Sequence, residues 1–164
     1  MAAKVITRWR LKKFEEALRA HVRSGMQKAV LFAEGEAKRL VSRGNKTGEN
    51  PSKPGEPPKT VTGALRSSIG HDVVETPQEI VGMVGVRKGP ADKYARRLEL
   101  GFHGTVKVKA HTRTQTHAWG RKLKEPKKVQ VRAYSYTVNQ APRPYLRPAV
   151  FDNREKILQL IARG

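Results

Sequence analysis

The stretch TVKVKAHTRTQTHAWGRKLKEPKKVQVRAYSYTV, residues 105–138, organises the rest of this sequence. Its first part alternates strictly, with Val106 and Val108 on one side of the chain and Lys107 and Lys109 on the other. A period of two is typical of a β-strand that is half buried and half solvated. The pattern therefore predicts a strand with an apolar inner face and a cationic outer face.

A second alternating run completes the stretch, with Val129 and Val131 on one side and Arg132, Tyr134 and Tyr136 on the other. The two runs predict one long antiparallel hairpin with an apolar face and a cationic face. The hairpin holds nine basic residues against one acid, Glu125: Lys107, Lys109, Arg113, Arg121, Lys122, Lys124, Lys127, Lys128 and Arg132. We interpret the cationic face as a surface for phosphate or for acidic protein. The alternative is an ordinary solvated ribbon whose edge lysines prevent aggregation.

The composition also points to a negatively charged partner. The chain has 164 residues and a net charge of +20. Such a balance is typical of proteins that bind nucleic acid, acidic protein or a membrane surface. A membrane is the weakest of these, because no apolar run reaches the ~20 residues that span a bilayer. There are no cysteines for disulfides or thiolate chemistry. No apolar segment typical of a signal peptide follows Arg10, so we expect the cytoplasm as the default location.

A long amphipathic helix is predicted over residues 7–41, because apolar side chains recur there at steps of three and four. Its predicted inward stripe comprises Phe14, Leu18, Val22, Gly25, Ala29, Phe32 and Leu40. The small residues on this helix would let another element approach closely, while Gly25 and Gly35 allow a kink or a break. We expect the helix to end before Gly44.

The remaining elements predict a single α+β domain over residues 1–164. Residues 45–62 form a proline- and glycine-rich segment that is too long for a plain connection. After it we predict a helical turn at 62–69, strands at 73–74 and 80–86, a helix at 94–100 capped by Gly101, the hairpin, a stiff joint at Pro142, Pro144 and Pro148, and a last helix at 149–162. Glu99 is expected to pair with a nearby arginine.

No set of residues in the sequence is typical of a catalytic site. The five histidines occur without cysteines or an HExxH motif, so neither a metal nor a cofactor is predicted. Residues 45–47 (NKT) resemble the end of a phosphate-binding loop but lack the glycine required before the lysine. A ribonuclease using His103, His111 or His117 is the remaining enzymatic alternative. We favour a protein that binds and assembles over an enzyme.

Four sequence blocks together resemble a known family. They are PSKPGEPP at 51–58, TGALRSSI at 62–69, YARRLELG at 94–101 and RPYLRPAV at 143–150. In order and spacing they are similar to the tail-completion, or head–tail connector, neck proteins of long-tailed lambdoid-type bacteriophages, from about residue 12 onward. The chain departs from the family at Phe102, where a threonine is usual, and in its longer and more basic hairpin.

The resemblance implies a structural ring of six, or of twelve, subunits at the head–tail junction of a virion, assembled in the host cytoplasm. Its expected partners are adjacent neck and tail-terminator proteins and phage DNA, bound without sequence preference. The proline-rich segment would act as an arm on a neighbouring subunit, because prolines lower the cost of ordering it. Candidate residues for the subunit interface are Pro51, Pro54, Gly55, Pro57, Pro58, Arg143 and Tyr145.

The charge of the hairpin limits how it could line such a ring. A domain of this size is about 40 Å across, and a ring that tall would enclose roughly 24 DNA phosphates. Six copies of the nine hairpin cations would exceed that number about twofold and would grip the DNA. We therefore expect only part of the hairpin to face the lumen. The alternative from another class is a stand-alone basic protein that binds nucleic acid.

Overall fold

The fold is α+β, as predicted, with a long first helix, small antiparallel sheets, a short middle helix and C-terminal helices. A computed structural model describes residues 11–42, 52–118 and 121–164. The elements are α1 (Leu11–Val41), α2 (Ala64–Ser68), β1 (Ile69–Glu75), β2 (Ile80–Val86), α3 (Asp92–Leu100), β3 (Phe102–Val108), β4 (His111–Ala118), β5 (Arg121–Val131), β6 (Tyr134–Gln140), α4 (Leu146–Phe151) and α5 (Arg154–Arg163). The predictions for the helix start at residue 7, for Gly44, for residues 45–47 and for Pro51 lie outside the described residues.

Helix α1 packs against α2, β1, β2, α4 and α5, and it continues through both of its glycines without a break. Its predicted inward stripe is only partly correct. Phe14 and Leu18 are 61% and 50% exposed, so the first turns of the helix are only partly covered by the other described elements. The residues of α1 that are buried are small ones and valines: Gly25, Ala29, Val30, Ala33, Ala37 and Val41.

The small residues of α1 allow the close approach that was expected of them. An added Cβ at Gly25 would overlap the backbone of Ile161, so α5 packs closely on α1 at this position. On a neighbouring face, an added Cβ at Gly82 of β2 would lie 2.5 Å from the side chain of Val30. Gly82 therefore marks a close approach rather than a bulge, since the β1–β2 ladder is regular.

Two arginines of α1 hold the turn of the β1–β2 hairpin against the helix. The turn closes with a 2.8 Å hydrogen bond from the Thr76 amide to the Glu79 carbonyl. Arg23 donates through Nε to the Glu75 carboxylate at 2.6 Å, and Arg19 donates through Nη1 to the Thr76 carbonyl at 3.1 Å. These contacts fix the end of the hairpin that lies farthest from the main core.

The main core lies where the C-terminal end of α1 meets α2, α3 and α4. Its buried members are Ala37, Val41, Leu65, Ile69, Ala91, Ala95, Tyr145 and Ala149. Tyr145 is 0% exposed, and its hydroxyl has no partner within the described structure. Burial, together with the negative charge of Glu99, raises the pKa of Tyr145 well above its ordinary value. Tyr145 is therefore a neutral core side chain.

The predicted helix at 149–162 is two helices in the structure. Helix α4 begins at Leu146, so Pro148 lies in its first turn and not in an extended joint. A turn at Asp152 and Asn153 separates α4 from α5, and Asn153 Nδ2 donates to the Ala149 carbonyl at 3.1 Å. The break lets α4 fill the main core while α5 lies along α1.

The contact at Gly25 gives a direct test of the packing of α5 on α1. We expect Gly25→Ala to lower the free energy of unfolding by about 1–3 kcal/mol, because the added methyl group would meet backbone that cannot rotate away. The control is Gly35→Ala in the same helix, where an added Cβ meets nothing within 4 Å. That change should stabilise the protein by about 0.5–1 kcal/mol. Denaturant unfolding measures both; equal effects of the two substitutions would contradict the contact.

Candidate functional site: the basic ribbon and its base

Strands β3 to β6 form one long two-stranded ribbon, which confirms the predicted long hairpin. β3 pairs with β6 and β4 pairs with β5. Both ladders keep the same register. Val108 pairs with Tyr134, and three residues farther toward the tip of the ribbon His111 pairs with Val131. From Phe102 to Ala118 the ribbon is about 55 Å long at ~3.3 Å per residue. Beyond Gln115 the register shifts, and Pro126 lies on the strand that carries the extra residues.

The prediction of one apolar and one cationic face is wrong, because the pairing register places the predicted apolar side of one strand on the same face as the predicted polar side of the other. Directly opposed residues of an antiparallel pair share a face. Tyr136 lies opposite Val106, so the tyrosines share the valine face near the base of the ribbon. Farther out, Val129 lies opposite Arg113, so these valines share a face with cations.

The cations of the distal ribbon consequently lie on both of its faces. Lys127 pairs with Gln115, next to the pair of Arg113 and Val129 on the same face. Lys128 pairs with Thr114 on the opposite face. All nine predicted cations are exposed: Lys107, Lys109, Arg113, Arg121, Lys122, Lys124, Lys127, Lys128 and Arg132. Among the described residues, none of the nine lies within 4.0 Å of a carboxylate oxygen.

Near its base the ribbon carries an exposed aromatic pair. The rings of Tyr134 and Tyr136 are stacked, with centroids 6.0 Å apart and planes inclined by 26°. They are 51% and 48% exposed. At the junction with the body, the guanidinium of Arg97 lies 4.4 Å from the ring centroid of Phe102. This cation–π contact attaches the first residue of β3 to helix α3.

The described part of the proline-rich segment lies against its own chain. Ser52 and Pro58 are buried, while Pro54 and Gly55 are exposed and Pro57 is half-buried. The Gly55 amide donates to the Pro142 carbonyl at 2.9 Å, and Arg143 Nε donates to the Ser52 carbonyl at 3.2 Å. Of the candidate interface residues, Pro54 and Gly55 thus lie on the surface. Pro58 and Tyr145 cannot reach a neighbouring subunit in this conformation.

Within the part of the chain that the structure describes, Glu99 forms no ion pair with an arginine, which corrects that expectation. Its carboxylate accepts hydrogen bonds from three consecutive backbone amides, at 2.8 Å from Tyr145, 3.0 Å from Leu146 and 2.9 Å from Arg147. These amides begin α4 and have no partner within that helix. The Arg143 amide, meanwhile, donates to the Leu98 carbonyl at 2.6 Å. The end of α3 therefore holds the start of α4 in place.

A groove of about 290 Å³ lies beside this junction. It is lined by residues 58–66 together with the side chains of Val41, Ser52, Tyr94, Leu98 and Arg143. The ionisable side chains of its lining are Lys59, Arg66, Tyr94 and Arg143. Among the described residues, the groove offers an apolar concavity with cationic edges and no carboxylate or histidine for acid–base chemistry.

The histidines do not converge on one site. His103 and His111 are separated by eight positions of extended chain, or about 26 Å at ~3.3 Å per residue, and His111 and His117 by about 20 Å. General acid–base partners must lie within hydrogen-bond reach of the same substrate. His71 instead contacts the Glu34 carboxylate, which also contacts Lys38 Nζ.

Residues 11–42, 52–118 and 121–164 contain no group of three or more potential metal-ligating His, Cys, Asp or Glu side chains. Within the same ranges, no helix combines the length and the apolar character needed to cross a bilayer.

The structure thus defines an α+β body that carries a long, exposed cationic ribbon. Comparison with protein-family models, with curated proteins and with solved structures found no match to this chain.

The cap formed by Glu99 can be tested by stability. We expect Glu99→Ala to lower the free energy of unfolding by about 2–4 kcal/mol, because it leaves three amides without their charged acceptor. Glu99→Gln keeps one acceptor oxygen and should lose less. Urea unfolding monitored by circular dichroism measures both variants. An unchanged midpoint for Glu99→Ala would show that water replaces the carboxylate without cost.

The contact between α1 and β1 predicts a pH dependence. Hydrogen bonding from Lys38, and then from His71, lowers the pKa of Glu34 against the opposing effect of burial. Because the folded-state pKa is lowered, the ionised Glu34 carboxylate stabilises the protein at pH values above the ordinary glutamate pKa. That stabilisation is lost as the pH falls through the folded-state pKa. Glu34→Gln should therefore be less stable than the wild type at pH 7, with the difference shrinking below about pH 4. Thermal unfolding between pH 3 and 7 checks this; a constant difference would contradict it.

Proposed function

We propose that this protein is a structural component of a tailed-phage neck, a ring at the head–tail junction through which DNA passes and which joins connector to tail. The observation that carries the proposal is the convergence of the four resembling blocks. Block 51–58, as far as it is described, bonds to Pro142 and Arg143, and block 94–101 caps block 143–150 through Glu99. Block 62–69 contributes Leu65 and Ile69 to the same core.

That convergence is what the resemblance predicts, because the residues that define a structural family commonly hold its body together. The sequence places the first and last blocks about ninety residues apart, as the 91-residue separation of Ser52 and Arg143 shows. In the structure these two residues share a hydrogen bond. The four blocks are therefore parts of one structural unit.

The exposed apolar side chains support assembly into an oligomer. Leu11, Phe14 and Leu18 recur at steps of three and four on one face of α1 and are 71%, 61% and 50% exposed. Phe151 is 70% exposed on α4. Large apolar side chains grouped on the surface mark protein contacts more often than free surface. A cyclic, head-to-tail contact between subunits would cover them.

The ribbon supports a role in DNA passage and in contact with adjacent rings. At about 55 Å it is longer than the ~40 Å diameter expected of a compact domain of 164 residues. It would therefore extend beyond the subunit's own ring, with some cations toward DNA and the others toward neck or tail-terminator neighbours. The protein would act without a cofactor and without catalysis, in the host cytoplasm during assembly and then in the virion. The alternative, a stand-alone nucleic-acid-binding protein, is favoured by the exposure of all nine ribbon cations.

Native mass spectrometry of the purified protein, together with cryo-electron microscopy of particle necks, tests the proposal. We expect closed rings of six or twelve subunits, either in solution or at the head–tail junction of the particle. Leu18→Glu should prevent the ring by placing a charge in its apolar contact, whereas Lys156→Gln on the exposed face of α5 should leave it intact. A protein that stays monomeric, binds DNA tightly and has no place in the particle would overturn the proposal in favour of the alternative.

A further inference from the structure

The distribution of charge on the distal ribbon distinguishes between ways of meeting a polyanion. A ribbon that lies flat on a phosphate backbone or on an acidic protein needs cations on one face only. Here Arg113 and Lys127 lie on one face of the β4–β5 ladder and Lys128 lies on the other. All three are exposed, so neither face is covered by the body.

Uncharged hydrogen-bonding side chains separate these cations. Thr112 pairs with Gln130 and Thr114 pairs with Lys128 on one face, while Gln115 pairs with Lys127 on the other. All but the half-buried Gln115 are exposed. Hydroxyl and amide groups of this kind bond to phosphate oxygens and to base edges alike. Both faces of the distal ribbon therefore combine cations with neutral donors.

We infer that the distal ribbon, residues 111–118 and 121–131, enters the major groove of duplex DNA, with one face toward each phosphate wall. The major groove of B-DNA is about 12 Å wide and admits a two-stranded β-ribbon. A single sheet layer with its side chains is about 10 Å thick, as the spacing of stacked sheets shows. The minor groove, at about 6 Å, is too narrow for it. This inference rests on the DNA contact in the proposed function and specifies its geometry.

In the major groove, cations on both faces of the ribbon lie beside phosphates at the same time. Eight residues of β4 extend over about 26 Å, a large part of one DNA turn of about 34 Å. A ribbon seated in this way would have to follow the groove as DNA moves, so it would retain DNA at rest and not merely line its path.

Lys127 and Lys128 allow a matched test, because they are sequence neighbours on one strand, are both exposed and point to opposite faces. Lys127→Gln and Lys128→Gln are each compared with wild type for binding to a 20-base-pair duplex by fluorescence anisotropy at several salt concentrations. Each cation that meets a phosphate contributes about 0.9 to the slope of log K against log salt. We expect both variants to lose about that much slope, and Lys156→Gln on α5 to lose none.

Methylation by dimethyl sulfate supplies the second measurement, because it attacks guanine N7 in the major groove and adenine N3 in the minor groove. We expect the wild-type protein to protect guanine N7. A change of slope for only one of the two lysine variants would show a flat contact and overturn the inference. So would unchanged slopes for both, protection of adenine N3 alone, or the absence of duplex binding, which would leave an acidic protein as the partner.

These outcomes are separate from those that test the ring. A closed ring whose lysine variants keep the wild-type slope would preserve the proposed function and remove the groove contact. A monomer that protects guanine N7 and loses slope in both variants would do the reverse.

Discussion

The carboxylate of Glu99 is the contact on which the arrangement of the rest depends. It holds the first three amides of the turn into α4, and that turn places Tyr145 and Ala149 in the main core. A glutamate in the last turn of a helix is unfavourable to that helix, because the helix dipole is negative there. Its position in α3 is therefore explained by the hydrogen bonds that it accepts from the backbone amides at the start of α4. The same junction binds the proline-rich segment, through Pro142 and Arg143.

Much of the fold could be predicted from local patterns, because periodicity reports which side of an element is buried. The helix at α1, the pairs β1–β2 and β3–β6, and the middle helix ending at Gly101 all follow from it, and Gly101 has the left-handed φ of 76° expected of a helix-terminating glycine. The break between α4 and α5 could not be predicted, because Asp152 and Asn153 fit a helix surface as well as a turn. Nor could the exposure of Phe14, since periodicity does not show how far the covering elements extend.

The candidate site shows why sequence alone misassigned its faces. Alternation defines two sides within each strand but not which side of one strand meets which side of the other; the pairing register decides that. With Val106 opposite Tyr136 and Arg113 opposite Val129, the apolar and cationic residues alternate between faces along the ribbon. The exposure of the nine cations was predictable from their number, but their distribution over two faces was not. The position of Glu99 in the last turn of a helix, where a negative charge is unfavourable, indicated a partner outside that helix. The prediction of an arginine named the wrong kind of partner.

The way in which the ribbon joins the body has a consequence for how such chains can diversify. The ribbon leaves the body at Gly101 and returns at Pro142, and an added Cβ at Gly101 would lie within 3.1 Å of both Gln140 and Pro142. Entry and exit are thus adjacent, and no described residue of the ribbon belongs to the main core. Insertions and deletions are tolerated where few core contacts cross the joining points. The ribbon can therefore lengthen, shorten or exchange its charges in the course of evolution while the body keeps its packing, so reach and partner choice can vary independently of the scaffold.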